Sequence, residues 1–188
     1  MVLEPVLSDQ EFEELCAANS NVHIERTKQG AIVVNAPGGS GSSDGNAEIV
    51  YQLRAWWKQH RQGRVFDSSA GVFLPDGSSK SPDAAYITAE QAATLSEEDL
   101  DHFLHFVPAF VIELRSKTDS LSKCHKKMEL WMANGARLGW LVDPYSRVVH
   151  VYEAGKESRV ESGDKVAATG AADGFVLDLL EVWLSFKV

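Results

Sequence analysis

Apolar positions recur at two different periods along this chain, and the switches between them predict its elements. Ile49, Leu53, Trp56 and Trp57 stand at i, i+4, i+7 and i+8, which puts one apolar stripe on a helix over about 46–60, ended by Gly63. Cys124, Met128, Trp131 and Met132 share a second helical stripe, with Gly135 as its C-terminal cap. Residues 107–114 are the most apolar run and predict a central strand buried on at least one face. Shorter strand patterns cover 64–68, 71–74 and, after the Pro75-Asp76-Gly77 turn, 82–87. Residues 138–142, an Asp143-Pro144-Tyr145-Ser146 turn and 148–152 read as a hairpin.

The remaining segments are less regular. Ser8 with Glu11, then Phe12 and Leu15, predicts a capping box opening a peripheral helix that ends near Asn19. A hairpin follows, with strands over 22–25 and 31–34 and a turn over 27–30. The Gly/Ser-rich stretch 37–45 breaks all periodicity and reads as a linker or as a loop over a site. Thr88 with Gln91 and Ser96 with Asp99 have capping-box spacing, so one or two short helices make an excursion outside the core. The tail, from Gly174 through Leu180 and Trp183, is apolar enough to pack back on the core. No internal repeat is present. The expectation is an N-terminal helical extension over 1–20 and a single α+β domain over 21–188.

Composition narrows the function. At 188 residues and 20.6 kDa the chain has the size of one ordinary domain. Its 27 acidic and 18 basic residues give a net charge of −9, so nucleic acid must be met locally or through a metal. No apolar run is long enough for a membrane helix, and the acidic N-terminal residues do not suit a leader peptide; a cytoplasmic protein without membrane partners is expected. Cys16 and Cys124 cannot form a disulfide framework and read as reduced thiols.

The residues that point to chemistry are charged groups set inside apolar elements. Glu113 is flanked by Phe110, Val111, Ile112 and Leu114, and a buried carboxylate needs an ion partner or a metal. Asp83 opens the neighbouring strand behind Pro82. Lys126 and Lys127 border the stripe of the next helix, where the alternative is a solvated face. Glu48 starts the first long helix, where it either joins the site or interacts with the helix dipole. Oxygen ligands of this kind suit a hard cation such as Mg²⁺ that keeps several waters. Residues 115–127 supply Arg115, Lys117, Lys123, Lys126 and Lys127 against one acid, Asp119, and form the only strongly basic patch expected.

Pro82-Asp83, the strand Phe110 to Ser116, Lys127-Met128-Glu129-Leu130-Trp131 and the stretch Asn134 to Pro144 resemble the Uma2 family of restriction-endonuclease-like proteins. The resemblance runs from about His23 to Trp183. It implies the PD-(D/E)xK nuclease fold, a mixed central sheet flanked by helices, with carboxylates at the ends of two adjacent strands. It further implies a Mg²⁺- or Mn²⁺-dependent endonuclease acting on DNA. Asp83, Glu113 and Leu114 would be the metal positions, Lys127 the catalytic cation, Glu48 an auxiliary carboxylate, and Arg115, Lys117 and Lys126 substrate contacts. Two departures stand out. Arg115 occupies the usual lysine position and cannot act as a base, and Ala109 replaces an Asp common after the proline.

Other motifs carry less. The 38–45 loop lacks the ending of a P-loop and the spacing of a dinucleotide fingerprint. His102 and His105 have no matching third metal ligand and read as surface residues. Trp56 and Trp57 suit base stacking or, more simply, the core. The alternative to a nuclease is a non-catalytic metal- or nucleic-acid-binding module on the same scaffold; RNA or a small phosphodiester would use the same chemistry as DNA. A homodimer is expected, because two paired sites cut two strands.

Overall fold

The computed structural model describes residues 7–187. In chain order its elements are α1 (Asp9–Ala18), β1 (His23–Arg26), β2 (Ile32–Asn35), α2 (Ser40–His60), β3 (Arg64–Asp67), β4 (Val72–Phe73), β5 (Ser79–Lys80), β6 (Ala84–Ile87), α3 (Ala89–Ala92), β7 (Phe110–Leu114), α4 (Leu121–Ala133), β8 (Leu138–Asp143), β9 (Val148–Glu153), β10 (Arg159–Ser162), β11 (Lys165–Ala167), β12 (Val176–Asp178) and α5 (Leu179–Leu184). The main sheet has the order β10-β9-β8-β7-β6-β3. Its β7–β8 pair is parallel, the join that needs a crossover helix, and α4 supplies it. The other pairs in that sheet are antiparallel. All residues of β6, β7 and β8 are buried, as central strands covered on both faces require.

Strand alternation splits the core into two layers. Ala84, Tyr86, Phe110, Ile112, Leu114, Trp140 and Val142 face α2, α5 and the β11–β12 pair, where they meet Ile49, Leu53, Phe175, Leu177 and Trp183. Val111, Ile87 and Leu141 face the other way, toward Met128 and Trp131 of α4 and toward Val72 and Leu104. The mixed sheet flanked by helices agrees with the expected fold class, and the tail does pack on the core.

Four local expectations need correction or refinement. The 37–45 stretch is not a loop throughout, because α2 begins at Ser40. Two of its glycines are needed for close packing: a Cβ on Gly45 would lie 2.7 Å from the Phe186 ring and 3.2 Å from Leu114, and one on Gly41 3.1 Å from the Ser185 carbonyl. The hairpin β1–β2 and strand β4, not assigned to a sheet by their pattern, join β5 in a separate four-stranded sheet, order β2-β1-β5-β4. The peripheral helix α1, whose capping box is present, sits outside the main sheet but buries Phe12 against Phe73 and Phe103. The excursion after α3 returns Leu104 to the second core layer, its amide donating to the Gly71 carbonyl at 2.9 Å.

α2 stops at Arg61 in the left-handed region, φ 55°. The turn is completed by Gly63 at φ 67°, whose carbonyl accepts from Trp57 Nε1 at 2.9 Å. A Cβ on Gly63 would fall 1.9 Å from the Ile87 carbonyl oxygen, a backbone atom that cannot move aside without breaking the β3–β6 join. Gly63→Ala is therefore expected to cost at least about 2 kcal/mol, lowering Tm by roughly 4–8 °C for a chain of this size. An unchanged melting curve by circular dichroism would remove this account of the turn.

Candidate active site

The β6–β7 register builds the site. Ala84 lies opposite Ile112, so Asp83 and Glu113, one residue further along each strand, face each other where the ladder opens. Alternation sends both away from the α2 layer and toward α4. Asp83 is fixed there by the Leu114 amide, which donates to its Oδ2 at 2.6 Å. Pro82, buried just before it, ties the chain between the small sheet and the main one.

Helix α4 brings the partners. Its Ser120 cap accepts from the Lys123 amide, which fixes where the first turn begins. Lys127 and Trp131, one turn apart, then reach the same carboxylate from one helix face. Lys127 Nζ donates to Glu113 Oε2 at 2.9 Å and to the Ser81 carbonyl at 3.0 Å. Trp131, wholly buried, donates its Nε1 hydrogen to Glu113 Oε1 at 2.8 Å. The small sheet adds a third carboxylate: Glu25 Oε1 lies 3.6 Å from Lys127 Nζ, and its Oε2 accepts from Lys80 Nζ at 2.8 Å. The Lys127 side chain keeps 29% of its surface, against 8% for Glu113, so solvent reaches the cluster at the lysine.

Asp83, Glu113 and Glu25 set three carboxylates against the two ammonium groups of Lys127 and Lys80, so with all five ionised one negative charge is in excess. Burial acts most strongly on Glu113 and, with the Asp83 charge, pushes its carboxyl up to about 8 against the pull of Lys127. Burial likewise raises Asp83, partly countered by Lys127 and the Leu114 amide. Burial acts against the charged form of Glu25 too, but Lys127 and Lys80 outweigh it and hold Glu25 below the usual carboxylate range. For Lys127 burial opposes the charge, yet Glu113, Glu25 and Asp83 together raise it, so it stays an ammonium at neutral pH.

Of the residues singled out in the sequence, Asp83, Glu113 and Lys127 converge. Leu114 sends its side chain into the α2 layer, so its backbone alone is available to the site, and its amide is spent on Asp83. Glu48 does not join the cluster. It lies on α2 across the sheet and accepts from Gln52 Nε2, which also donates to the Asp178 carbonyl. The expected basic patch over 115–127 is largely neutralised. Lys127 points inward, Lys123 approaches Asp119, and Arg115 donates from Nη1 to Asp143 Oδ2 at 2.9 Å and from Nε to the Asp119 carbonyl at 3.2 Å. Lys117 and Lys126 remain exposed and free of ion pairs among the described residues. Nor is the patch the only one: Arg54, Lys58, Arg61 and Arg64 form another, exposed along α2 and β3.

Sequence reading missed Glu25, Lys80, Trp131 as a hydrogen-bond donor, and Asp143. Trp131 had a usable signal, standing four residues after Lys127 on the same stripe. Glu25 had none, since one charge in a half-exposed hairpin strand reads as a solvated position.

The donor set fits a hard divalent cation. Asp83 and Glu113 offer carboxylate oxygens in a cluster that carries one excess negative charge, the condition a cation relieves. Among the described residues no group of three or more His, Cys, Asp or Glu side chains is placed to hold a metal ion, so any ion here would rest on two carboxylates and water. In the metal-free protein that excess is relieved by a proton. A carboxyl raised in the folded state stabilises fully below its unfolded range, and that contribution is lost as pH rises through its folded value. Metal-free wild type is expected to lose thermal stability between about pH 5 and 8, and Glu113→Gln to flatten that decline. Melting temperatures in EDTA that fall equally in both proteins would assign the titration elsewhere.

The fold and this geometry can be set beside known proteins. A crystal structure described as a putative nuclease belonging to DUF820 from Anabaena variabilis superposes with a TM-score of 0.73 at 21% identity, covering 87% of this chain and 91% of that one. At that identity the likeness speaks for the fold alone. No curated protein sequence matches the chain. The Uma2 family model, described as "Putative restriction endonuclease", matches residues 9–180 and so takes in both sheets, α4 and the whole carboxylate–lysine cluster. The chain belongs to the Uma2 family.

Proposed function

We propose that this protein is a divalent-metal-dependent nuclease that hydrolyses phosphodiester bonds of DNA. The observation that carries the reading is the convergence of Asp83, Glu113 and Lys127 at the open end of the β6–β7 ladder. Asp83 and Glu113 would hold Mg²⁺ or Mn²⁺, which when bound supplies a Lewis acid and a water acidified toward neutrality. Trp131 locks one Glu113 oxygen and so sets the direction of the other. Lys127, cationic and reachable from solvent, neutralises charge on the phosphate oxygens as it builds up. Arg115 cannot accept a proton, and its Asp143 clamp leaves it a fixed positive group beside the site. Lys117 and Lys126, both exposed, would suit the flanking phosphates.

One observation favours a second reading. Both Glu113 oxygens already have protein partners, as a purely structural ion pair would require. On that reading the chain is a binding module that kept the scaffold. Cleavage of supercoiled plasmid and single-stranded DNA at low salt with Mg²⁺, Mn²⁺ or EDTA separates the two. Metal-dependent cutting that falls at least about 100-fold in Glu113→Ala and in Lys127→Ala is expected. Absence of cutting, or variants as active as wild type, would leave the binding module.

Cutting both strands of a duplex calls for two sites, and pairing of two copies is part of the proposal. Light scattering should return a mass about twice the 20.6 kDa of the chain; a single-chain mass at high concentration would remove the dimer.

A further inference from the structure

We infer that the C-terminal half of α2 and the start of β3 form a second nucleic-acid contact, remote from the carboxylate cluster, that grips the phosphate backbone of duplex DNA. The inference rests on the nucleic-acid reading above and names a surface that it does not use. Residues 54–64 carry Arg54, Lys58, Arg61 and Arg64 with no acidic residue among them, on a chain whose net charge is −9. All four are exposed. Among the described residues none of them forms an ion pair, whereas Arg26, Lys80, Arg115, Lys127 and Arg159 all do.

An ordinary solvated helix face leaves its cations mobile, whereas two of these four are held. The Arg54 guanidinium carbon stacks 4.2 Å from the centre of the Trp57 ring, and that of Arg61 lies 5.0 Å from the same centre. The ring is itself fixed by its hydrogen bond to the Gly63 carbonyl. Arg61 is held further by its left-handed backbone and by Nε donating to the Lys58 carbonyl at 3.1 Å. Guanidinium groups held by their faces keep donors at their edges, so less side-chain freedom is lost when phosphate oxygens bind. Alongside runs a groove between α2 and β3, whose polar lining is Ser43, Asn46, Tyr51, Arg54, Lys58 and Ser68 with one acid, Asp67, and Tyr51 is 67% exposed.

Arg64 stands on the edge strand β3, paired with Ile87. Arg54, Lys58 and Arg61 belong to the C-terminal half of α2, on the face of the main sheet opposite to the one toward which Asp83 and Glu113 point, so the backbone is gripped apart from the cluster. A molecule repelled by phosphate overall gains most from cations gathered in one place, where each released counterion adds to affinity.

The test is fluorescence anisotropy of a short fluorescein-labelled DNA duplex in EDTA, so that no strand is cut, over a series of KCl concentrations. Wild type should bind, and R54A/R61A should bind at least ~10-fold more weakly, with the slope of log affinity against log salt reduced by about 2. R54K/R61K, which keeps charge but loses the stacked fork, should retain the slope and bind less tightly. Equal affinity and slope for wild type and R54A/R61A overturns the contact while leaving the nucleic-acid reading intact. Absence of duplex binding by wild type overturns it as well, and metal-dependent cleavage then still decides the hydrolase reading on its own. Patch-dependent binding without any cleavage upholds the contact and removes hydrolysis. A loss of self-association in R54A/R61A with DNA binding unchanged would assign the surface to a second copy of the chain, and so overturns it.

Discussion

Glu113 stands near the end of a strand buried along its whole length, and an ionised carboxylate there requires partners supplied from outside the strand. Two side chains of α4 meet that requirement, while the like charge of Asp83 works against it. Helix α4 crosses the sheet between the two parallel strands and delivers Lys127 and Trp131 one turn apart, to different oxygens of the same group. The preceding strand opens with Asp83, held at 2.6 Å by the amide next to Glu113. Removing either partner of such a buried pair leaves an uncompensated charge, a far larger penalty than the pair's own net contribution.

The small sheet makes sense in the same terms. Strands β1 and β5 are too short to form a core of their own, yet Glu25 and Lys80 extend the charge cluster from three groups to five. The Ser81-Pro82-Asp83 step joins the two sheets, and the Ser81 carbonyl accepts from Lys127 within it. Helix α1 closes the far side through Phe12, with Arg26 stacked over that ring and paired to Asp9. A cluster with more carboxylates than ammonium groups relaxes by taking up a proton or a cation, and either makes the site responsive to pH and to metal.

Charge on this protein is sorted by neighbours, not by sequence density. Of the cations over 115–127, Lys127 and Arg115 are taken up inside the fold by Glu113 and Asp143, and Lys123 approaches Asp119 at the surface. The shorter run over 54–64 stays free of ion pairs among the described residues and is stiffened on Trp57. Side chains that look alike in sequence therefore divide into an internal network and an outward face. The same sorting puts Glu48 across the sheet from the cluster, bonded to Gln52.

The sequence by itself determined the elements whose patterning is strong. The stripes of α2 and α4, the apolar β7, the β8–β9 hairpin and the N-terminal capping box are all present, because local periodicity and turn chemistry specify them. It also made Asp83, Glu113 and Lys127 legible, since a charge next to an apolar run is costly enough to notice. Tertiary structure alone decided the rest. Gly41 and Gly45 sit in a helix and not a loop because Ser185, Phe186 and Leu114 press against them, a contact invisible to local composition. Glu25 enters the site because a small sheet folds over it, and its strand pattern carries no trace of that partner. Helical and strand periods are properties of neighbouring residues, whereas an ion partner or a steric neighbour is set by segments that meet only after folding.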